Sequence, residues 1–141
     1  MLNQSFNSTT KTHQETEKLG MEFSQFISKG NIITLNGNLG SGKTTFMKGV
    51  LKGLNYKDEV TSPTYTLINE YNADYKIIHI DCYREPNIDR WLNIGLIDYF
   101  NNENILFIEW AEKIKNILPD KTKNLVFEVI NSNERMIKYY E

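Results

Sequence analysis

The sequence predicts a three-layer α/β sandwich whose mixed sheet is parallel at its centre and carries antiparallel hairpins at its edges. Three observations lead there. Ile32-Ile33-Thr34-Leu35 is a short apolar run, followed by a glycine-rich loop and then by Phe46, Met47, Val50, Leu51 and Leu54 at helical spacing. Ile105-Leu106-Phe107-Ile108 is a second fully apolar run, as expected of a strand buried on both faces. Two strand pairs, 67–71 with 76–81 and 125–130 with 135–140, each enclose a short polar turn and read as hairpins.

The elements follow in order. Residues 1–11 are polar and read as extended chain. Thr12-His13-Gln14-Glu15 has the form of a capping box and opens a helix whose apolar face is Leu19, Phe23, Phe26 and Ile27, with Gly30 ending it. The strand, loop and helix between residues 32 and 54 come next. Residues 55–60 are a polar connection, and Pro63 makes 61–67 begin as a loop. After the first hairpin, residues 81–86 leave the sheet, and 89–99 read as one short helix with a ragged apolar face of Trp91, Leu92 and Ile94. Residues 111–118 read as a helix stopped by Pro119, and residues 131–134 turn the closing hairpin.

At 141 residues the whole chain, 1–141, is expected to form one domain. The net charge of −2 gives no global basic field for nucleic acid. The single cysteine, Cys82, allows no intrachain disulfide and fits a reducing cytoplasm. The first residues lack the basic and apolar regions of a signal peptide, and no apolar segment is long enough to span a membrane. A cytoplasmic protein without membrane contact is expected.

The chemistry centres on Gly37-Asn38-Leu39-Gly40-Ser41-Gly42-Lys43-Thr44-Thr45. This matches G-x-x-x-x-G-K-[ST], the loop that cradles phosphates in P-loop NTPases. Glycines let the backbone close around phosphate oxygens, successive N–H groups form an anion nest, and the following helix adds its positive end. Lys43 is placed to reach the β- and γ-phosphates, and the Thr44 hydroxyl to ligate Mg²⁺. The expected fold is therefore P-loop NTPase-like. Such a site needs an acid at the carboxyl end of a buried strand, and two candidates exist: Glu109 after residues 105–108, and Asp81 after residues 77–80. The first assignment gives Glu109 to Mg²⁺ beside Thr44, with Asp81 orienting water or the metal's water shell; the reverse division stays open. Lys43, Asp81 and Glu109 form the expected catalytic set.

These motifs occur in order with Ser62-Pro63-Thr64-Tyr65-Thr66-Leu67, His79-Ile80-Asp81-Cys82-Tyr83-Arg84, Gly95-Leu96-Ile97-Asp98-Tyr99-Phe100 and Ile108-Glu109-Trp110-Ala111-Glu112. Together they closely resemble the bacterial TsaE (YjeE) family, from the region 12–19 to Ile137. The resemblance implies an ATPase needed for threonylcarbamoyladenosine formation in tRNAs that read codons beginning with A. It implies ATP and Mg²⁺ as cofactors and two sugar-kinase-like subunits of the transferase complex as partners. Contact with tRNA would then be indirect, and ATP hydrolysis would reset the complex between rounds. It further implies switch-like roles for residues 62–66 and 81–84, a metal role for Glu109, and a place near the nucleotide for Trp110. Thr10 and the threonines up to Thr16 match the region that covers the adenine, and Arg135 matches a basic residue of the last hairpin. Asn38, Cys82 and Glu85 depart from the family's usual residues, but none removes a phosphate or metal group.

Other features have plainer readings. The tyrosines suit half-buried sheet positions better than a stacking surface. His79, inside a strand, reads as a core histidine rather than a base, because phosphoryl transfer rests on positioning. Arg84, Arg90 and Arg135 are the only arginines, and residues 95–109 contain neither an arginine nor a lid-sized insertion. That weighs against a small-molecule kinase, and it predicts slow turnover in isolation. A non-hydrolysing nucleotide switch is the third reading, against which the intact Lys43, Thr44, Asp81 and Glu109 stand.

Overall fold

The computed structural model describes residues 5–58 and 67–140. The segment 62–66, read above as switch-like, lies outside the described residues. Among the described residues seven strands form one sheet in the order β1-β7-β6-β2-β5-β4-β3. They are β1 Phe6–Thr10, β2 Ile32–Asn36, β3 Ile68–Asn72, β4 Lys76–Asp81, β5 Asn104–Glu109, β6 Lys123–Val129 and β7 Arg135–Tyr140. The helices are α1 His13–Phe23, α2 Lys43–Gly53 and α3 Ile88–Asn93. The central strands β6, β2, β5 and β4 are parallel, whereas β3, β7 and β1 are antiparallel to their neighbours. This is the expected mixed sheet with a parallel centre and hairpin flanks.

Side-chain alternation on the central strands divides the interior in two. Ile33, Leu35, Ile77, Ile105 and Phe107 face α1 and α2, with Phe23, Phe46 and Val50. Ile32, Ile78, Ile80, Leu106 and Ile108 face the other way, onto Trp91, Leu96 and Ile114. Apolar residues on both faces are what a parallel strand requires, and they make the three layers.

The two helices on the first face touch backbone to backbone. A Cβ added to Gly49 of α2 would fall on the Glu17 carbonyl of α1, and one added to Gly20 of α1 would fall on the Phe46 carbonyl of α2. Only glycine permits so close a crossing. At the start of α1, Thr12 Oγ1 accepts the Glu15 N–H at 3.1 Å. The Glu15 carboxylate returns to the N–H of Lys11, at 2.9 Å, one residue earlier than the usual capping box.

Residues 6–10, expected to be extended, are so, and they pair with β7 as β1, where Phe6 stacks on Tyr139 and packs edge-on to Phe23. Three expectations are corrected. The first helix stops at Phe23, and Phe26 is exposed instead of facing the core. The helix expected over 89–99 is broken at Gly95, whose φ of +86° ends α3 and starts a 3-10 turn, Leu96–Tyr99. Of the expected face Trp91 is fully buried while Leu92 and Ile94 are exposed, and the Trp91 Nε1–H donates to the Glu85 carbonyl at 2.6 Å. Residues 111–117 form 3-10 turns with a kink at Ile114 rather than an α-helix.

The backbone contact of α1 with α2 predicts the cost of a single methyl group. Gly49→Ala should destabilise the protein by about 1–3 kcal/mol, the usual range for overpacking. Urea unfolding measures it; a loss below about 0.5 kcal/mol, typical of a surface change, would mean the helices do not cross this closely.

Candidate functional site

Parallel strands place their carboxyl ends on one side, and the side chains at those ends converge. β2 runs into the phosphate loop, β5 ends in Glu109, and β4 ends in Asp81. Glu109 lies in register with Leu35 on one side and Asp81 on the other. A cavity of about 520 Å³ opens there, lined by Leu39, Gly40, Gly42, Lys43, Thr44 and Thr45 of the loop and α2. Asp81, Tyr83, Arg84, Glu109, Trp110 and His13 complete its wall.

The loop is shaped as its motif requires. A Cβ on Gly37 would strike the Phe127 carbonyl and the Ser41 hydroxyl, so the chain can pass β6 only as glycine. Gly42, at φ +104°, turns the chain into α2. Asn38 accepts the Ser41 N–H through its carbonyl, and Leu39 stands almost wholly exposed at the tip. The Ser41 hydroxyl is buried without a hydrogen-bond partner. Such a group needs one, and an oxygen-rich anion seated in the loop would supply it. That orphan hydroxyl, together with the lysine behind it, fits a nucleotide's phosphates.

Lys43 is buried at the centre of the site. Its Nζ donates to the Gly37 carbonyl at 2.6 Å and pairs with Glu109 Oε1 at 3.1 Å. It also lies 5.8 Å from the centre of the Trp110 ring. Trp110 holds a left-handed backbone conformation, φ +57°, immediately after Glu109. For a bulky residue this costs about 1–3 kcal/mol, and such strain gathers at functional sites. Its ring meets that of Tyr83 at 5.0 Å.

The two acids differ in kind. Burial works against the Glu109 charge, but the His79 hydrogen bond and the charges of His79 and Lys43 outweigh it and hold its carboxyl below its ordinary range. Asp81 moves the other way. Burial raises it and the Glu109 charge adds to that, while the Tyr83 N–H, donating to Asp81 Oδ1 at 2.9 Å, only partly offsets them. Among the described residues no group of three or more His, Cys, Asp or Glu side chains is placed to hold a metal. A divalent ion here would draw on Thr44, one or both acids, and phosphate oxygens. That is the donor pattern of a P-loop site, in which the protein supplies few ligands.

Thr10 and Arg135 stand apart from the cavity wall. Thr10 is buried at the end of β1, its Oγ1 2.7 Å from that of Thr16, and His13 is the residue of this region that reaches the cavity. Arg135 braces the loop from behind, donating through its guanidinium to the Gly40 carbonyl at 3.1 Å and to Asn131 and Glu134 carbonyls. His79, read from sequence as a core residue, is buried but 2.8 Å from Glu109 Oε2. The two-residue period of a strand, which puts residues 79 and 81 on one face, was the signal that could have placed it beside the acids.

Comparison with known proteins bears on this arrangement. Residues 10–137 match the family model described as threonylcarbamoyl adenosine biosynthesis protein TsaE. The chain belongs to the TsaE family. A TsaE protein of Aquifex aeolicus is 38% identical, with 92% of each chain covered, and one of Bacillus subtilis is 36% identical, covering 92% of this chain and 82% of the relative. One from Haemophilus influenzae is 41% identical over 73% of this chain and 69% of its own. The crystal structure of Bacillus subtilis YdiB superposes with a TM-score of 0.79 at 31% identity, covering 99% of this chain and 86% of that one. The TsaE match begins at Thr10, so most of β1 lies ahead of it. No helix among the described residues is long and apolar enough to cross a membrane.

The opposite shifts predict opposite mutants. Glu109→Gln should lower stability at neutral pH by about 3 kcal/mol, because it leaves Lys43 buried without its carboxylate. Its carboxyl is depressed when folded, so the deficit should be full above the ordinary value of 4.5 and close as pH falls through the folded value. Asp81→Asn should raise thermal stability at pH 7, since it removes a carboxylate whose charge folding disfavours. Its advantage should vanish on acidification below the ordinary 3.8. Thermal melts of both variants from neutral to acid pH check this; shifts of the same sign would contradict the assignment.

Proposed function

We propose that this chain is the ATP-binding and hydrolysing subunit of the machinery that forms threonylcarbamoyladenosine in tRNAs reading codons that begin with A. The observation that carries the reading is Lys43, held inside a phosphate-type loop between the Gly37 carbonyl and a strand-end acid, Glu109, with Asp81 beside it. Membership of the TsaE family supplies the biosynthetic context.

In this reading the loop N–H groups and the Ser41 hydroxyl bind the phosphates, and Lys43 exchanges Glu109 for phosphate oxygens. Thr44, with Glu109 or Asp81, would hold Mg²⁺, which when bound neutralises charge across the phosphate oxygens. Asp81, facing the cavity with a raised carboxyl, orients the attacking water. Trp110 and His13 flank the space next to the loop and shield it from solvent. Tyr83 and Arg84, exposed on the loop that follows Asp81, present the state of the site to a partner. The partners are two sugar-kinase-like subunits of a transferase complex in the cytoplasm, with tRNA reached through them. Arg84 is solvent-exposed and Arg135 is committed to the loop backbone, so no arginine is fixed on the phosphates and isolated turnover is slow.

Calorimetry with ATP, with and without Mg²⁺, and ADP release with and without the partner subunits test this. Lys43→Ala should weaken ATP binding more than about tenfold. Asp81→Asn should keep the affinity and lower ADP release by about 100-fold. Glu109→Gln should lose the Mg²⁺-dependent part of the affinity; if it does not, the metal role passes to Asp81. Wild-type protein that forms no ADP even with its partners would reduce the reading to a nucleotide switch.

A further inference from the structure

We propose that His79 is a positioning residue for the nucleotide site: it fixes the Glu109 carboxylate from the side away from the cavity, so the acid keeps its orientation when Lys43 turns to phosphate. The proposal rests on the hydrolytic reading above and deepens it.

The geometry divides Glu109 between two partners. Oε1 pairs with Lys43 at 3.1 Å, and Oε2 lies 2.8 Å from His79 Nε2. Only one of these partners is free to leave. Lys43 is a point charge on a flexible stem, starts α2 and lines the cavity. His79 is fixed in the middle of β4, 4% exposed, and lies behind the cavity wall rather than in it. When Lys43 moves to a phosphate, a buried carboxylate held by it alone would lose its anchor. The imidazole supplies a second hydrogen bond that the exchange does not disturb.

Packing alone does not account for the residue. On this face β4 and β5 otherwise present Ile77, Ile105 and Phe107, and His79 lies in register with Phe107. An aliphatic side chain would fill that position without a polar atom to satisfy, so a buried imidazole there costs stability unless bonded. Its partner is the acid that pairs with Lys43 at 3.1 Å. A ligand-orienting hydrogen bond of this kind typically changes metal affinity or activity by about 10- to 100-fold.

The test compares His79→Leu, which fills the volume without a donor, with His79→Gln, which keeps an N–H. His79→Leu should unfold cooperatively and lose about 10- to 100-fold in ADP release and in the Mg²⁺-dependent gain of ATP affinity. Metal-free ATP affinity should stay unchanged. His79→Gln should restore most of the loss. Long-range proton–nitrogen NMR of the ligand-free chain gives a readout independent of turnover, since His13 and His79 are the only histidines. It should find the His79 proton on Nε2. A proton on Nδ1 with bare Nε2, or His79→Leu with wild-type Mg²⁺ dependence, would overturn the proposal. Absent hydrolysis in the wild type condemns the ATPase reading instead, and the spectra and Mg²⁺ dependence still decide the role of His79.

Discussion

A single, largely buried carboxylate organises this protein. Glu109 ends the central strand β5, and its two oxygens meet a lysine from the phosphate loop and a histidine from the neighbouring strand. Buried charge is tolerable only when paired and hydrogen-bonded, so the position of each partner is constrained by the others. Strand register puts His79 within reach, and the loop must close far enough over β2 to bring Lys43 in. The Trp110 backbone must turn at once into a strained conformation so that its ring lies near the ammonium group. The parallel sheet serves as the frame that sets these groups beside one another through its strand register.

The same frame concentrates unfavourable terms in one place. The strained Trp110 and the half-buried Asp81 both line one cavity, and the orphaned Ser41 hydroxyl belongs to the loop that borders it. The two apolar cores on either face of the sheet, with their fully buried Phe46, Phe107 and Trp91, provide the stability against which these are set. This is the usual relation between a functional site and its scaffold: local rules are broken where chemistry is needed and kept elsewhere.

Much of this was legible in the chain. The loop motif, the apolar run before Glu109 and the hairpin turns reflect short-range rules, and they located the parallel centre, the two hairpins and the strand ends that carry Asp81 and Glu109. What the sequence hid depends on long-range contact. β1 contains only Phe6 as an apolar anchor, and its strand character comes from pairing with β7 and stacking on Tyr139. The break at Gly95 was masked by apolar neighbours on both sides, although a glycine inside a helical pattern is itself a warning. His79 looked like core because burial and function coincide there. The place of Arg135 against the Gly40 carbonyl, across 95 residues of chain, has no local signature at all.

The close crossing of α1 on α2 gives the cavity at the strand ends two unlike walls. Gly20 and Gly49 let the helices touch through their backbones, with no side chain between them at the crossing. α2 starts at Lys43 and α1 starts at His13, and both residues line the cavity. That side is built from two helices in direct backbone contact. The facing side, Tyr83 and Arg84, hangs on the loop between β4 and α3, where both side chains are exposed. That exposed loop is nevertheless tied to the centre of the site, since the Tyr83 ring meets Trp110 at 5.0 Å and Trp110 in turn lies 5.8 Å from the Lys43 ammonium, so a displacement of the loop is felt at the lysine.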